Sequence, residues 1–275
     1  MTTFGSRLRA AVQTHGPLCV GIDPHEQLLR EWGLSLDAAG AREFGLRTVD
    51  AAASRVGIVK PQVSFFERWG SAGFAALEGV IGAARAAGLL VIADAKRGDI
   101  GTTMDAYAAA WLSPGAPLEA DAVTVSPYLG VGALESAFRL AHDHDKGVFV
   151  LAATSNPEAR ELQGSRFGSM TVSAHVAQEV HHLTGQSAVD GWSSIGLVIG
   201  ATVDLRAAGL AATADCVVPI LAPGFGAQGA EPGDLSGIFG DLAPGVIASE
   251  SRSILSAGPG GLAARIRERA GLYRG

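Results

Sequence analysis

The segment DAKRGDIGTT, residues 94 to 103, carries Asp94, Lys96, Arg97 and Asp99 directly after the apolar run GLLVIA. Side chains alternate along an extended strand, so Asp94 and Lys96, two positions apart, are expected on one face. Lys60 ends the preceding apolar run, and Asp99 adds a second carboxylate beyond an Arg97–Gly98 turn. An acid–base–acid cluster beside a second lysine is costly to bury unless every charge is partnered. Carboxylates around a lysine favour its ammonium form, which suits a proton donor. An imine-forming lysine needs the opposite, a desolvated site or cationic neighbours. The cluster therefore points to proton transfer rather than Schiff-base chemistry. A lone D-x-K is also compatible with an ordinary ion pair at a strand end.

A second group lies near the C-terminus, where GFGAQG (224–229) follows an apolar run and Ser251–Arg252 ends the next one. The glycines Gly224, Gly226 and Gly229 would let backbone amides close on a phosphate, with Gln228 and Arg252 donating to its oxygens. The same letters match a dinucleotide fingerprint, with Glu250 at about the right distance. Pro232, Gly233, Gly237 and Pro244 argue against that reading, because the helix it requires could not extend. A flexible glycine-rich loop with a surface arginine is the plainer alternative. The histidine clusters HDHD (142–145) and HH (181–182) read as surface positions near helix ends, and no metal is expected.

The elements that must position these groups are eight apolar runs rich in Val, Ile and Leu: LCVGIDP, VGIVKPQ, LLVIADAK, DAVTVSPY, GVFVLAATS, IGLVIGAT, CVVPILAPG and GVIASESR. Continuous apolar runs of this length read as strands buried on both faces. Helix-period segments separate most of them, including residues 37–55, 70–88, 170–185 and 260–273. Eight such alternations predict a (β/α)8 TIM barrel, with an open doubly wound sheet as its rival. No linker or low-complexity tract divides the chain, so residues 1–275 are expected to form one domain. Barrel chemistry sits at the C-terminal ends of strands. Those ends supply Asp23, Lys60, Asp94 with Lys96, Ser126, Ser155, Thr202, Gln228 and Ser251–Arg252.

The bulk composition narrows the partners. The chain has 275 residues, 48% of them hydrophobic, and 21 basic against 27 acidic residues give a net charge of −6. That balance argues against nucleic acid or a membrane surface as the main partner. Cys19 and Cys216 both lie in apolar runs and read as reduced core residues. No signal peptide or apolar stretch of membrane-spanning length is evident, which points to a cytoplasmic protein.

DAKRGDIGTT resembles the D-x-K-x-x-D-I signature of the orotidine 5′-monophosphate decarboxylase family, in its longer bacterial form. VGIDP, VKPQVSFFE, VSPYLG, ATSNP, APGFGAQG and SRSIL extend the likeness in order over residues 17 to 256. The resemblance implies decarboxylation of orotidine monophosphate to uridine monophosphate in pyrimidine synthesis, without a cofactor. It implies that Lys96 protonates C6, that Asp94 lies near the substrate carboxylate and that Lys60 links the charges to the ribose. It places Asp23 on a ribose hydroxyl, Ser155 on the pyrimidine edge, and Gln228 and Arg252 on the phosphate. It further implies a homodimer in which Asp99, Ile100 and Thr103 enter the partner's site. Ser251 stands where glycine is common in shorter members, which leaves a backbone contact there open. Two rivals are a metal-dependent sugar-phosphate lyase of the same superfamily and a non-catalytic phosphoribosyl-binding barrel. The lyase would want more acidic strand tips, and the binder would not need two lysines and two aspartates together.

Overall fold

A computed structural model describes residues 2–184, 191–211 and 216–274. Each of the eight apolar runs forms a strand: β1 Leu18–Ile22, β2 Ile58–Pro61, β3 Leu90–Arg97, β4 Ala122–Val125, β5 Gly147–Ala153, β6 Ile195–Ile199, β7 Ile220–Pro223 and β8 Val246–Glu250. Every strand pairs in parallel with its neighbours in chain order, and β8 returns to β1 through Leu18–Ala248 and Val20–Glu250. That last pairing closes a (β/α)8 barrel and excludes the open sheet.

Alternation along the strands splits the core in two. Val20, Val59, Val91 and Val123 point outward and pack in the layer shared with the helices, whereas Cys19, Ile58, Ile92, Phe149 and Ile247 fill the barrel interior. A strand with both faces buried needs apolar residues at every position, which is why these runs are nearly continuous. Three of the anticipated helices span Ala38–Ala52, Gly70–Ala86 and Gly258–Leu272. The first is capped by Asp37, which accepts from the Gly40 amide at 2.8 Å. The second stops before Gly88, whose φ of +77° lets its amide reach back to Arg85 O.

Three features went beyond the periodicity. Helix Phe4–His15 plugs the N-terminal mouth of the barrel, with Phe4 edge-on to Phe149 at 6.1 Å between ring centroids. The β5–β6 connection carries a small antiparallel hairpin, Arg166–Phe167 with Met170–Thr171, before helix Val172–Thr184. Between β6 and β7 no helix occurs among the described residues. The glycine- and proline-rich stretch after β7 supports one five-residue helix, Leu235–Phe239, as its composition predicts.

His142 and Asp143 end helix Glu135–Asp143 ahead of β5, at the barrel end away from the charged strand tips. Among the described residues, no three His, Cys, Asp or Glu side chains are grouped to hold a metal ion. No described helix is long and apolar enough to cross a membrane.

Candidate active site

The C-terminal ends of the strands surround a cavity of about 280 Å³, with Asp23, Lys60, Asp94 and Lys96 on one side and Gln228 and Arg252 on the other. The two groups of residues noted in the sequence thus meet across one opening.

The charged side is a chain of alternating sign. Lys60 Nζ lies 4.0 Å from Asp23 Oδ1 and 2.9 Å from Asp94 Oδ2, and Lys96 Nζ lies 2.6 Å from Asp94 Oδ1. Lys60 and Asp94 are buried, at 5% and 8% exposure, whereas the Lys96 side chain reaches into the opening. Burial alone would lower the Lys60 pKa, but the Asp94 and Asp23 charges more than reverse this and hold its ammonium well above the ordinary range. Burial would likewise raise the Asp94 carboxyl, yet Lys60 and Lys96 hold it well below the usual carboxylate value. Beneath them Cys19 is a buried thiol pushed up to about 12, chiefly by desolvation, and is inert.

Lys96 reaches Asp94 by a different route from a plain strand. Its φ is +49°, and the pairing of β3 with β4 shifts register between Ala93 and Arg97. A left-handed backbone at a non-glycine residue is strained and is kept where the surroundings hold it. Here the Lys96 amide donates to Thr124 Oγ1 at 3.0 Å, and the same hydroxyl donates to Asp94 Oδ1 at 2.9 Å. The bulge turns the ammonium into the cavity and swings the following residues out of it. Gly98 then passes so close to Ser126 that a Cβ there would lie 2.4 Å from the Ser126 carbonyl oxygen.

Asp99, Ile100 and Thr103 accordingly leave their own cavity. Asp99 accepts from the Ile100 amide at 2.8 Å, Ile100 is 62% exposed, and Thr103 is exposed in helix Gly101–Leu112. Tyr128 and Leu129, in the loop after β4, add exposed apolar surface.

On the phosphate side Gly224, Gly226 and Gly229 have φ of +122°, +70° and +104°, a backbone that side chains disfavour. The turn they make is closed by Gly226 N to Ala230 O at 2.7 Å, and the amides of Ala227 and Gln228 donate to no backbone carbonyl among the described residues. Arg252 is exposed and, among the described residues, has no hydrogen-bond or ion-pair partner. Ser155 sits on the rim, with its Oγ 3.5 Å from Gln228 Oε1, while Thr154 lines the cavity. Two buried oxygens at the opening, Asp23 Oδ1 and Ser251 Oγ, have no hydrogen-bond partner among the described residues. Buried acceptors are rarely left so, and these are free to take a hydroxyl donor.

Two contributors were not singled out from the sequence. Gln62 bridges Lys60 and the Asp94 carbonyl, at 3.5 and 3.3 Å. Thr124 ties Asp94 to the Lys96 amide. Both occupy inward positions, Gln62 two after Lys60 and Thr124 two before Ser126, so strand alternation could have found them. Glu250 matched a ribose-binding acid in sequence, but it is fully buried against Arg269 and Tyr273 and faces away from the cavity.

Asp94 carries the electrostatics of this side, and Asp94→Asn is expected to destabilise the fold by about 3 kcal/mol by leaving two ammonium groups without their shared counter-ion. Its folded pKa lies below the unfolded one, so its stabilisation is fully present above the unfolded value of about 4 and fades as pH falls toward the folded value. Urea unfolding of both proteins should therefore show a gap that is constant above about pH 5 and narrows as pH falls below about 4. An unchanging gap would contradict the assignment.

Comparison with known proteins completes the description. A family model, "Orotidine 5'-phosphate decarboxylase / HUMPS family", matches residues 16–265. The orotidine 5'-phosphate decarboxylase of Corynebacterium efficiens is 50% identical over 283 residues, covering 99% of this chain and 98% of that protein. The one from Salinispora arenicola is 51% identical over 260 residues, covering 94% and 92%. A crystal structure from Streptomyces avermitilis superposes with a TM-score of 0.93 at 45% identity, over 100% of this chain and 95% of that one.

Proposed function

The chain belongs to the orotidine 5'-phosphate decarboxylase / HUMPS family and is a carboxy-lyase, and on that premise we propose how its own residues carry out the decarboxylation of orotidine 5'-phosphate to uridine 5'-phosphate and CO2. The observation that carries the proposal is the alternating Asp23–Lys60–Asp94–Lys96 chain facing the Gln228–Arg252 side across one cavity.

Arg252, the Gln228 side chain and the free amides of Ala227 and Gln228 hold the phosphate, which fixes one end of the substrate. Asp23 Oδ1 accepts from a ribose hydroxyl, and Lys60 keeps that carboxylate aligned with Asp94. The pyrimidine then lies with C6 toward Lys96 and its edge toward Ser155. The C6–carboxylate bond breaks, CO2 departs, and the electron pair stays in an in-plane orbital on C6. The ring cannot delocalise that charge as an enolate, so a fixed ammonium is the natural stabiliser. The Lys96 proton passes to C6, and the neutral amine regains a proton from water. Asp94 aims the ammonium and lies close to the departing carboxylate.

The same reading assigns Asp99, Ile100 and Thr103 to the partner's site in a homodimer, supported by the half-buried Asp99 and the exposed Ile100 and Thr103 lying outside the chain's own cavity. It treats residues 1–275 as one domain, needs no cofactor, and places the enzyme in the cytoplasm. Turnover of orotidine 5'-phosphate in heavy water tests the reaction and the proton's destination together. Uridine 5'-phosphate with deuterium at C6, seen as loss of the H6 proton resonance, is expected. No product, or product with hydrogen retained at C6, would overturn the proposal.

A further inference from the structure

The Glu250 carboxylate is fully buried at the end of β8, two residues before Arg252, and its hydrogen-bond donors among the described residues are Ser253, Arg269 and Tyr273. Glu250 Oε1 accepts from Arg269 Nη2 at 2.8 Å and from the Tyr273 hydroxyl at 2.6 Å. Glu250 Oε2 accepts from Arg269 Nε at 2.8 Å and from Ser253 Oγ at 2.5 Å. Arg269 also reaches Glu231, just past the glycine-rich turn, at 3.5 Å. The turn itself rests on this group. A Cβ at Gly226 would lie 2.6 Å from the Ser253 Cβ and 3.0 Å from Glu250 Oε2. Phe225, the residue before it, packs edge-on to the Tyr273 ring at 5.8 Å between centroids.

From this geometry we infer that Glu250, Arg269 and Tyr273 are positioning residues that lock the 224–231 turn and Arg252 into one phosphate-gripping unit, held from the C-terminal helix Gly258–Leu272. The inference rests on the phosphate assignment made above. Two physical points favour positioning over plain core filling. A buried ion pair is weak as a stabilising device, and an apolar side chain at 250 would pack the site as well. A carboxylate next to a dianion site is also a liability unless neutralised, and Arg269 neutralises it with a planar two-pronged contact. Burial works against the charged guanidinium, but Glu250 more than offsets this and raises the Arg269 pKa, so the guanidinium stays charged. Breaking the pair would therefore both loosen the turn and expose a negative charge beside the phosphate.

The test compares uridine 5'-phosphate with uridine, measuring dissociation constants for the full chain and its variants. Arg269→Gln should weaken the nucleotide by about 10- to 100-fold while uridine changes by less than about twofold. Glu250→Gln added to Arg269→Gln removes the exposed charge and should recover most of that loss. Tyr273→Phe removes one hydrogen bond, leaves the ring on Phe225, and should weaken the nucleotide selectively by about threefold. It decides the matter if the arginine variant does not fold. Equal weakening of both ligands, or folded variants with wild-type nucleotide affinity, would overturn the inference. So would a double variant no better than Arg269→Gln. A wild-type chain that does not prefer the nucleotide over uridine would instead overturn the phosphate assignment itself.

Discussion

Lys96→Ala should lower the rate of decarboxylation by about four orders of magnitude or more while uridine 5'-phosphate still binds. The size follows from two losses at one atom. The variant has no proton donor for C6, and it has no preorganised positive charge where the carbanion forms. Binding is expected to survive because the phosphate and ribose contacts proposed above come from the ends of β1, β7 and β8, and that proposal gives Lys96 no part in them. Asp94 and Thr124 keep their places, since Lys60 still pairs with Asp94 and Thr124 Oγ1 still accepts from the backbone amide of residue 96. Single-turnover rates with nucleotide binding measured in parallel would check this. A variant within about a hundredfold of wild type would mean that another group protonates C6.

Mixing two inactive proteins, Lys96→Ala and Asp99→Ala, should restore about a quarter of wild-type sites if homodimers exchange chains at random. In a mixed dimer one site carries both defects. The other combines an intact Lys96 with the partner's intact Asp99. The expectation rests on the bulge at Lys96, which sends two halves of one short segment in opposite directions. Asp94 and Lys96 face the chain's own cavity, whereas Asp99, Ile100 and Thr103 are carried outside it. Exchange can be followed by tagging one chain. Tagged mixed dimers that form and remain inactive would sink the shared site.

These half-sites also mark how far the sequence could be read. The eight strands were legible because strands buried on both faces demand continuous apolar runs, and their polar tips then fell at one end of the barrel. Lys60, Asp94 and Lys96 meet as expected, and Gln228 faces them with Arg252. The route taken by Lys96 was not legible, because alternation assumes a regular strand and nothing local announces a left-handed lysine. It takes the Thr124 hydroxyl, thirty residues beyond Asp94, to hold it. Ser155 sits on the rim while its neighbour Thr154 lines the cavity, a choice set by where β5 ends. Glu250 shows a related limit. The dinucleotide match of its spacing was set aside because of the helix-breaking residues after the glycines, but its actual partners, Arg269 on the C-terminal helix and Tyr273 just past it, cannot be placed by sequence distance. The plug helix Phe4–His15 was missed because it packs across the barrel mouth rather than between strands.

The central claim is that this chain decarboxylates orotidine 5'-phosphate with its own side chains alone. The most direct measurement follows the ultraviolet absorbance of orotidine 5'-phosphate with purified protein in excess chelator. The account predicts conversion to uridine 5'-phosphate at an undiminished rate. Unchanged absorbance, or turnover that returns only when magnesium is added, would contradict it.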